Sequence, residues 1–319
     1  GGASPISPML ARRLLERLRQ VDLAPEGRPG PGTAPPPPVP LTPREHDVLR
    51  LIAPAKPGFK RSWSVYRGRF LDALRIREGT RFWREHQSTV ARAAHQYGVP
   101  PEIIVSIIGV ETIYGRIMGD FRVIDALTTL AFEDPRRADY FRDELADFLL
   151  YTRDSKLDAL ALRGSFAGAI GIPQFMPGSI RRFAVDFDGD AVIDLRASPA
   201  DAIGSVANFL AAHGWQRGMP VTFAVAVPVD TRARATLLAP DIVPSFSAAQ
   251  MAELGAELDA AARRHEGLLA LVELQNGAGA PSYVAGTQNF YVLTRYNWSS
   301  YYAMAVLELG AAVRRQTAN

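Results

Sequence analysis

The spacing of hydrophobic residues predicts a mainly helical protein from about residue 42 to residue 214. Apolar residues recur at helical intervals over 81–97 and again within 120–152, with polar residues between them. Pro100-Pro101-Glu102 places proline and an acid where a helix begins, and Ser198 followed by Pro199 is typical of the start of a helix over 199–212. We therefore expect helices in all of these segments.

The pattern changes after Trp215. Residues 220–228 are strand-like, and strand-like pieces recur over 268–293, interrupted by Asn276-Gly277 and Gly279. A helical pattern returns over 299–314. The sequence therefore predicts a small β-containing segment inserted before the last helix.

The first 43 residues differ from the rest in composition. Leucine and arginine at helical spacing over 5–23 predict a short helix, and residues 24–43 are rich in proline and glycine, with consecutive prolines at 35–38. Such a stretch cannot pack a core, and it favours an extended tether. We expect the folded body to begin near Thr42.

Composition narrows the class of protein. Hydrophobic residues make up 47% of the chain and charged residues 22%, as in ordinary globular proteins. No apolar run reaches the roughly 18 residues that span a bilayer. The absence of cysteine excludes thiol nucleophiles, disulfides and thiolate metal sites. The net charge of +3 favours an acidic partner, but the basic residues are scattered, so we expect no nucleic-acid partner.

Glu111 follows an almost entirely apolar helical stretch, residues 103–110. Apolar side chains lie one to two turns before it, and Tyr114 lies one turn after it. Such burial raises the pKa of a carboxyl group, and a carboxyl that stays protonated near neutral pH can act as a general acid. The residues alone leave a second interpretation open, in which Glu111 is a structural acid paired with Arg116.

Five blocks of the sequence resemble the membrane-bound lytic transglycosylase B family and keep that family's order. They are GVPPEIIVSIIGVETIYGR at 98–116, IDALTTL at 124–130 with PRR at 135–137, GSFAGAIG at 164–171 with QFMP at 174–177, NFY at 289–291 with TRYN at 294–297, and YAMAV at 302–306. The resemblance spans roughly residues 60–315 and does not include residues 1–45.

The resemblance implies a mainly α (α+β) fold with a lysozyme-like helical core. In this fold an α domain at 42–90 is completed by the C-terminal helix at 299–319, and residues 91–214 form the catalytic core. Residues 215–298 form the small inserted β-containing domain and part of the groove. Residues 1–41, the N-terminal helix and proline-rich tether, precede these domains.

The resemblance also implies a lytic transglycosylase that acts on peptidoglycan glycan strands. Glu111 is expected to protonate the oxygen of the MurNAc-β-1,4-GlcNAc bond and then to accept the proton of the C6 hydroxyl of the same muramyl sugar. That hydroxyl closes a 1,6-anhydro ring without water. Because the nucleophile is intramolecular, one carboxylate suffices where most glycosidases use two.

The same resemblance implies a cellular location and an oligomeric state. We expect a monomer in the periplasm of a Gram-negative bacterium, with association with the outer membrane and with other cell-wall proteins as further options. Catalysis is expected to need no cofactor.

Several polar and aromatic residues are candidates for a sugar-binding groove. The Gln174 amide can both donate to and accept from an N-acetyl group, and Ser165 lies in a glycine-rich turn. The residues alone leave open that Gln174 binds backbone, that Ser165 stabilises a turn and that the tyrosines of 296–302 belong to the core.

The resemblance assigns a larger set to substrate binding: Tyr66, Arg136, Arg137, Ser165, Gln174, Phe175, Phe209, Tyr296, Asn297 and Tyr302. Arg136 and Arg137 are expected to contact the carboxylates of the peptide stems, the alternative being a solvated helix start. Phe209 stands where the family has tyrosine, so one hydroxyl contact is in doubt.

Residues 186–194, DFDGDAVID, resemble an EF-hand calcium loop with oxygen ligands at positions 1, 3, 5 and 9. The expected ligands of a structural calcium are Asp186, Asp188, Asp190, the Val192 carbonyl and, farther along, Asp201. Ala191 stands where an EF-hand has glycine, and no glutamate follows at position 12. An acidic turn without metal is therefore the alternative.

Two other functions remain open from the sequence. A hydrolytic muramidase on the same fold would need a second carboxylate, for which Asp120 and Asp125 are nearest in sequence. A non-catalytic scaffold that binds the cell wall would not need Glu111. The chemical nature of the product ends separates the first alternative from a transglycosylase, and lysis of purified sacculi excludes the second.

Overall fold

The computed structural model describes residues 62–134 and 136–318. The expected N-terminal helix at 5–23, the tether at 24–43 and Pro135 lie outside the described residues. The helices are α1 (Trp63–Gly68), α2 (Ala73–Glu85), α3 (Gln87–Tyr97), α4 (Pro101–Thr112), α5 (Val123–Glu133), α6 (Ala138–Asp154), α7 (Pro177–Phe183), α8 (Pro199–Ala212), α9 (Thr231–Leu238), α10 (Ala248–Glu253), α11 (Ala260–Arg263), α12 (Gln288–Asn297) and α13 (Ser300–Ala318).

The strands are short except for one hairpin. They are β1 (Phe121–Arg122), β2 (Arg163–Gly164), β3 (Thr222–Phe223), β4 (Val225–Ala226), β5 (Glu257–Leu258), β6 (Ala270–Asn276) and β7 (Gly279–Gly286). The described residues divide into two compact units, 118–182 and a second unit formed by 62–117 together with 183–318.

In the unit 118–182, helix α5 packs against α6, and β1 pairs antiparallel with β2. Leu127, Leu130 and Phe148 are fully buried between these helices and the turns that follow. A backbone bridge between Ile170 and Phe175 closes the turn that contains Gln174.

Helix α4 is the centre of the helical part of the second unit. It packs against α2, α3, α8 and α13, and every residue of 103–110 is buried. A helix that is apolar on all sides is stable only when neighbours cover it, which explains why four helices surround this one. Pro101 at the first position and Glu102 in the first turn start the helix as expected.

The β part of the second unit contains a three-stranded sheet in the order β3-β7-β6 and a separate β4-β5 pair. Strands β6 and β7 form an antiparallel hairpin whose turn contains Asn276-Gly277, with Gly277 at φ 65°. The positive φ favours glycine there. The hairpin packs on a hydrophobic cluster that includes Leu237, Met251 and Leu258.

Two expected elements differ from the structure. The helix expected over 81–97 is divided at His86, whose φ of −113° and ψ of 25° leave helical geometry. Residues 288–293, expected among the strand-like pieces, belong to helix α12. This helix starts there because the Thr287 side chain accepts a hydrogen bond from the Asn289 amide.

The expected helix at 199–212 is confirmed with its Ser198 cap and its proline start. The mainly helical class with a small β-containing part is also confirmed. The expected domain boundaries stay a prediction. Among the described helices, none has the length and hydrophobicity needed to cross a membrane.

Candidate active site

Glu111 is the penultimate residue of α4, at a sharp end of this helix. Ile113, Tyr114 and Gly115 follow with φ angles of 51°, 58° and 83°, all in the left-handed region. The Thr112 hydroxyl accepts a hydrogen bond of 2.9 Å from the Gly115 amide and so stabilises this turn. The chain therefore leaves the helix axis within one turn of the carboxyl group.

The surroundings of Glu111 raise its pKa to about 7. Burial is the larger cause, and a hydrogen bond of 2.7 Å from the Tyr302 hydroxyl to Oε1 of Glu111 opposes it. Arg116, the alternative partner of Glu111, forms an ion pair with Glu78 at 3.2 Å instead. The interpretation of Glu111 as the acid of an Arg116 ion pair is therefore wrong.

Three tyrosines lie close enough to Glu111 for its charge to affect them. Burial, followed by the Glu111 charge, raises the pKa of Tyr66, Tyr296 and Tyr302 above the ordinary value. The rings of Tyr296 and Tyr302 are stacked, with centroids 5.9 Å apart and planes 12° apart. All three hydroxyls therefore remain protonated at neutral pH and can donate hydrogen bonds.

Phe209 extends this aromatic group. Its ring meets Tyr296 edge-on at 5.0 Å and stacks on His213 at 4.0 Å. Asn297 is exposed at the end of α12, and the buried Tyr301 donates its hydroxyl to the Gln275 carbonyl at 2.9 Å. Four of the predicted residues thus lie together near Glu111, namely Tyr66, Phe209, Tyr296 and Tyr302. The Tyr301 hydroxyl, in contrast, is bonded to the backbone.

Gln174 occupies a strained turn of the unit 118–182, with φ of 51°. Its Nε2 donates to the carbonyls of Met118 at 3.1 Å and Gly171 at 2.8 Å. The backbone-binding interpretation therefore holds for the NH2 group. The Oε1 atom accepts no hydrogen bond from a described residue, so it is the part of the amide available to a ligand.

Ser165 and Phe175 lie in the same unit. The Ser165 hydroxyl accepts hydrogen bonds from the amides of Ala167 at 3.2 Å and Ala169 at 3.0 Å, so it stabilises its own turn. Phe175 is only 2% exposed. Its ring therefore belongs to the hydrophobic core, and a contact between this ring and substrate finds no support in its position.

Arg136 and Arg137 are exposed just before α6. Arg136 bonds to Asp134 at 2.9 Å, and this hydrogen bond is the main reason why the pKa of Asp134 is lowered. The Arg137 guanidinium lies over the ring of Tyr140, 4.5 Å from its centroid. Both cations are held by neighbouring side chains on the surface.

The acidic loop has a compact arrangement of carboxylates. Oxygens of the exposed Asp186, Asp188 and Asp190 lie within 4.8 Å of one another. Ala191 has φ of 70°, the left-handed conformation that the EF-hand comparison requires of this position. Asp201 is almost fully buried, and its two oxygens accept the amides of Phe187 and Asp194, both at 2.8 Å.

The residues present fit a hard cation such as calcium, which prefers carboxylate and carbonyl oxygens. Asp186, Asp188 and Asp190 have oxygens close enough together to bind one cation. Asp201 does not join this group, but it fixes the two ends of the loop through backbone amides. Val192 is exposed within the loop.

The transglycosylase SLT domain family matches residues 41–311. The chain belongs to this family. Membrane-bound lytic murein transglycosylase B of Escherichia coli (strain K12) is 46% identical over 278 residues, which are 85% of this chain and 74% of that protein. The Escherichia coli lytic transglycosylase SLT35 in complex with calcium is 44% identical, with a TM-score of 0.75 and coverage of 86% of this chain and 84% of that one.

A more distant solved structure is SltB3 of Pseudomonas aeruginosa in complex with NAG-NAM-pentapeptide. It is 28% identical, with a TM-score of 0.72, and covers 95% of this chain and 79% of that one. Membership of the transglycosylase SLT domain family confirms the predicted lysozyme-like fold and makes the chain an enzyme, a peptidoglycan lytic transglycosylase. The predicted site residues and the chemical steps stay predictions.

Two residues that pack near the end of α4 were not among the predicted residues. Arg75 donates from Nε to the Gly109 carbonyl at 2.9 Å, one turn before the end of the helix. The Tyr114 hydroxyl is buried and has no hydrogen-bond partner among the described residues. Neither contact leaves a signal in the sequence, because each depends on the packing of α2 against α4.

Proposed function

We propose that this transglycosylase cleaves the MurNAc-β-1,4-GlcNAc bond of peptidoglycan without water and leaves 1,6-anhydro-MurNAc ends. Glu111 acts first as the general acid and then as the general base. The observation that carries the proposal is the position of Glu111: a half-buried carboxyl whose desolvation raises its pKa to about 7, bonded to the Tyr302 hydroxyl.

The acid step requires a protonated carboxyl at the scissile oxygen. A pKa of about 7 leaves roughly half of the molecules protonated at neutral pH, whereas an ordinary glutamate would be almost fully ionised. Proton transfer to the leaving oxygen converts Glu111 to a carboxylate. The Tyr302 hydroxyl, already at 2.7 Å, then stabilises that charge.

The base step returns the proton to Glu111. The C6 hydroxyl of the muramyl sugar attacks its own C1 and gives its proton to the Glu111 carboxylate, which closes the anhydro ring. Because the attacking group is held within the same sugar, its effective concentration is high and no second enzyme carboxylate is needed. Asp125, one of the two acids that a hydrolytic muramidase could use, forms an ion pair with Arg122 at 2.6 Å.

The proposed substrate contacts are of two chemical kinds, aromatic rings and amide groups. The rings of Tyr66 and Tyr296 supply apolar faces for sugars, and Asn297 supplies an exposed amide. The Phe209 ring is buried, so its proposed part is to support Tyr296, which it meets edge-on. In the unit 118–182, Gln174 offers Oε1 to an N-acetyl N–H. The solved complex of SltB3 with NAG-NAM-pentapeptide supports a substrate of this class.

Ser165, Arg136 and Arg137 are proposed for more indirect parts in substrate binding. The Ser165 hydroxyl already accepts two amides, so its proposed part is to hold the turn near Gln174 in shape. The two arginines are exposed and able to meet the stem-peptide carboxylates. The buried Phe175 ring is left out of the proposal.

The test compares wild type with Glu111→Gln on purified sacculi. Glutamine keeps the shape of the side chain but cannot transfer the proton, so we expect turnover to fall by roughly a hundredfold to ten-thousandfold. Glu102→Gln is the matched control, since Glu102 lies on the same helix and pairs with Arg314 at 2.8 Å.

Mass spectrometry of the released fragments identifies the reaction. Fragments lighter by one water than their hydrolysed counterparts are expected from wild type. Reducing ends in place of anhydro ends would show a hydrolytic muramidase, and an unimpaired Glu111→Gln enzyme would show that another group is the catalyst.

We also propose a structural calcium held by Asp186, Asp188, Asp190 and the Val192 carbonyl, in a loop whose ends Asp201 fixes. The convergence of three carboxylates supports this proposal, as does the calcium complex of SLT35. The cation offsets the repulsion among the carboxylates, and the chemistry at Glu111 does not require it.

The proposed location is the periplasm of a Gram-negative bacterium, with the enzyme acting as a monomer. The similarity to a membrane-bound lytic murein transglycosylase of Escherichia coli supports an envelope location. Fractionation of cells that express the full gene, with recovery of the enzyme in the periplasmic or outer-membrane fraction, is the expected result.

A further inference from the structure

Glu144 of helix α6 is a buried carboxyl group that the proposed reaction does not use. It is only 5% exposed and lies in the unit 118–182. Burial raises its pKa above the ordinary value, and the hydrogen bond from the Gly178 amide is the largest effect that opposes this rise. A buried carboxyl destabilises a fold unless its oxygens are bonded, so these bonds show what Glu144 holds in place.

The hydrogen bond from Gly178 joins α6 to the start of α7. The Gly178 amide, in the second residue of this helix, donates to Oε2 of Glu144 at 2.8 Å. A Cβ atom at residue 178 would lie 2.7 Å from Oδ2 of Asp147 and 3.2 Å from Oε1 of Glu144. Because residue 178 is glycine, the backbone of α7 can approach the carboxyl groups of α6 this closely.

Helix α7 begins soon after the turn that contains Gln174. Only residues 175–177 separate Gln174 from Gly178. On its other side the turn is fixed by Ile170, whose amide donates to the Phe175 carbonyl at 2.8 Å and whose carbonyl accepts the Phe175 amide at 3.1 Å. The Gln174 turn is therefore held at two points, the bridge to Ile170 and the start of α7.

The position of Gln174 matters because a single atom makes its proposed substrate contact. Its Nε2 is bonded to the carbonyls of Met118 and Gly171, which leaves Oε1 to accept the N–H of an N-acetyl group. A hydrogen bond weakens steeply outside a narrow range of distance and angle. A residue that binds substrate in this way needs supporting contacts that hold its turn in place.

We propose that Glu144 is a positioning residue for substrate binding. Its carboxylate fixes the start of α7 through the Gly178 amide, and the start of α7 in turn fixes the Gln174 amide that accepts the N-acetyl group. Glu144 itself does not contact the glycan. The inference rests on the proposed function, which assigns Oε1 of Gln174 to substrate binding.

Three substitutions of Glu144 separate the reach of the side chain from its charge. Glu144→Ala removes the acceptor of the Gly178 amide. Glu144→Gln keeps an acceptor oxygen at the same length without the charge, whereas Glu144→Asp keeps the charge but is one methylene group shorter. Asp139→Asn is the matched control, since Asp139 is an exposed acid of the same helix that pairs with Arg142 at 2.8 Å.

Each variant is assayed on soluble glycan strands, alone and combined with Gln174→Ala, well below its melting temperature. We expect Glu144→Ala and Glu144→Asp to raise KM by about threefold to tenfold, the loss of one substrate hydrogen bond, with kcat little changed. Glu144→Gln and Asp139→Asn should keep a KM near that of wild type. In the Gln174→Ala background, Glu144→Ala and Glu144→Asp should raise KM no further, because both changes act on the same contact.

A lowered melting temperature with an unchanged KM in Glu144→Asp would show a merely structural role and overturn the inference. A further rise in KM in the Gln174→Ala background would overturn it as well, because Glu144 would then act on another contact. If Glu144→Ala fails to fold, Glu144→Gln and Glu144→Asp decide between these outcomes. Failure of the proposed function is distinguishable, because it appears as an active Glu111→Gln enzyme.

Discussion

At the scale of single residues, Glu111 is subject to two opposing effects. Burial at the end of α4 raises its pKa, and the hydrogen bond from Tyr302 lowers it, leaving a value of about 7. A group that must give a proton and then take one back works best when both forms are accessible at the operating pH. Tyr302 therefore sets the balance between the two steps.

Tyr302→Phe is expected to move the pH dependence of the reaction. Loss of the hydrogen bond to the carboxylate raises the pKa of Glu111 further, so the fall in kcat/KM on the alkaline side should occur at higher pH than in wild type. The maximal rate should decrease, because the carboxylate formed after proton transfer loses a donor. A pH profile with an unmoved alkaline limb would show that Tyr302 does not act on Glu111.

Glu111→Gln is expected to change stability in a manner that depends on pH. The folded state of wild type, with the raised pKa, favours the protonated carboxyl, so wild type loses stability as pH rises from about 4.5 to about 7. The loss is about 3.5 kcal/mol at most, since each pKa unit between about 4.5 and about 7 corresponds to about 1.4 kcal/mol. The glutamine variant has no such loss.

Melting curves at pH 4 and pH 8 check this expectation. The difference in stability between Glu111→Gln and wild type should be more favourable to the variant at pH 8 than at pH 4. A difference between the two proteins that is the same at both values would contradict the raised pKa.

At the scale of secondary-structure elements, the position of α4 against α2 depends on Tyr114. A Cβ atom added at Gly79 of α2 would lie 2.2 Å from the Tyr114 hydroxyl oxygen, and one added at Gly109 of α4 would lie 2.3 Å from it. Only glycine leaves room for the ring at these two positions. The tyrosine that follows Glu111 thus occupies the space between the two helices.

Tyr114→Phe is expected to stabilise the enzyme by about 1 kcal/mol, because it removes a buried hydroxyl that has no partner among the described residues. Gly109→Ala should destabilise it by about 1–3 kcal/mol through overpacking. Denaturant unfolding measures both changes. If Tyr114→Phe proves destabilising, the hydroxyl has a partner in solution, and water is the first candidate.

At the scale of the whole molecule, the acidic loop 186–194 is expected to link calcium to global stability. A cation that binds only the folded protein stabilises it according to its concentration relative to Kd. Ala191 in the left-handed conformation makes the loop costly to form, so we expect weak binding, about millimolar as in extracellular modules.

Added calcium should therefore raise Tm, and Asp186→Asn should abolish the rise, while magnesium should substitute poorly. Asp230→Asn is the control, since Asp230 only caps α9 and asparagine caps equally well. An unchanged Tm at millimolar calcium would leave the loop as an acidic turn.

Much of this architecture is visible in the sequence because it depends on local signals. The proline and acid that start α4, the serine cap and proline of α8, and the Asn276-Gly277 turn each act on neighbouring residues, and the structure contains all three. The start of α12 could not be placed, because the Asn289 side chain that anchors it bonds to the backbone of Gln216 and Met219, about seventy residues away.

The sequence by itself determined that Glu111 ends an apolar helix and so must be desolvated, because the spacing of apolar residues is a local property. Only the tertiary structure decided which groups meet that carboxyl group. It brought the Tyr302 hydroxyl, 191 residues away, to Glu111 and directed Arg116 to Glu78. Periodicity specifies which face of a helix is buried, whereas the partner buried against that face depends on how distant segments pack.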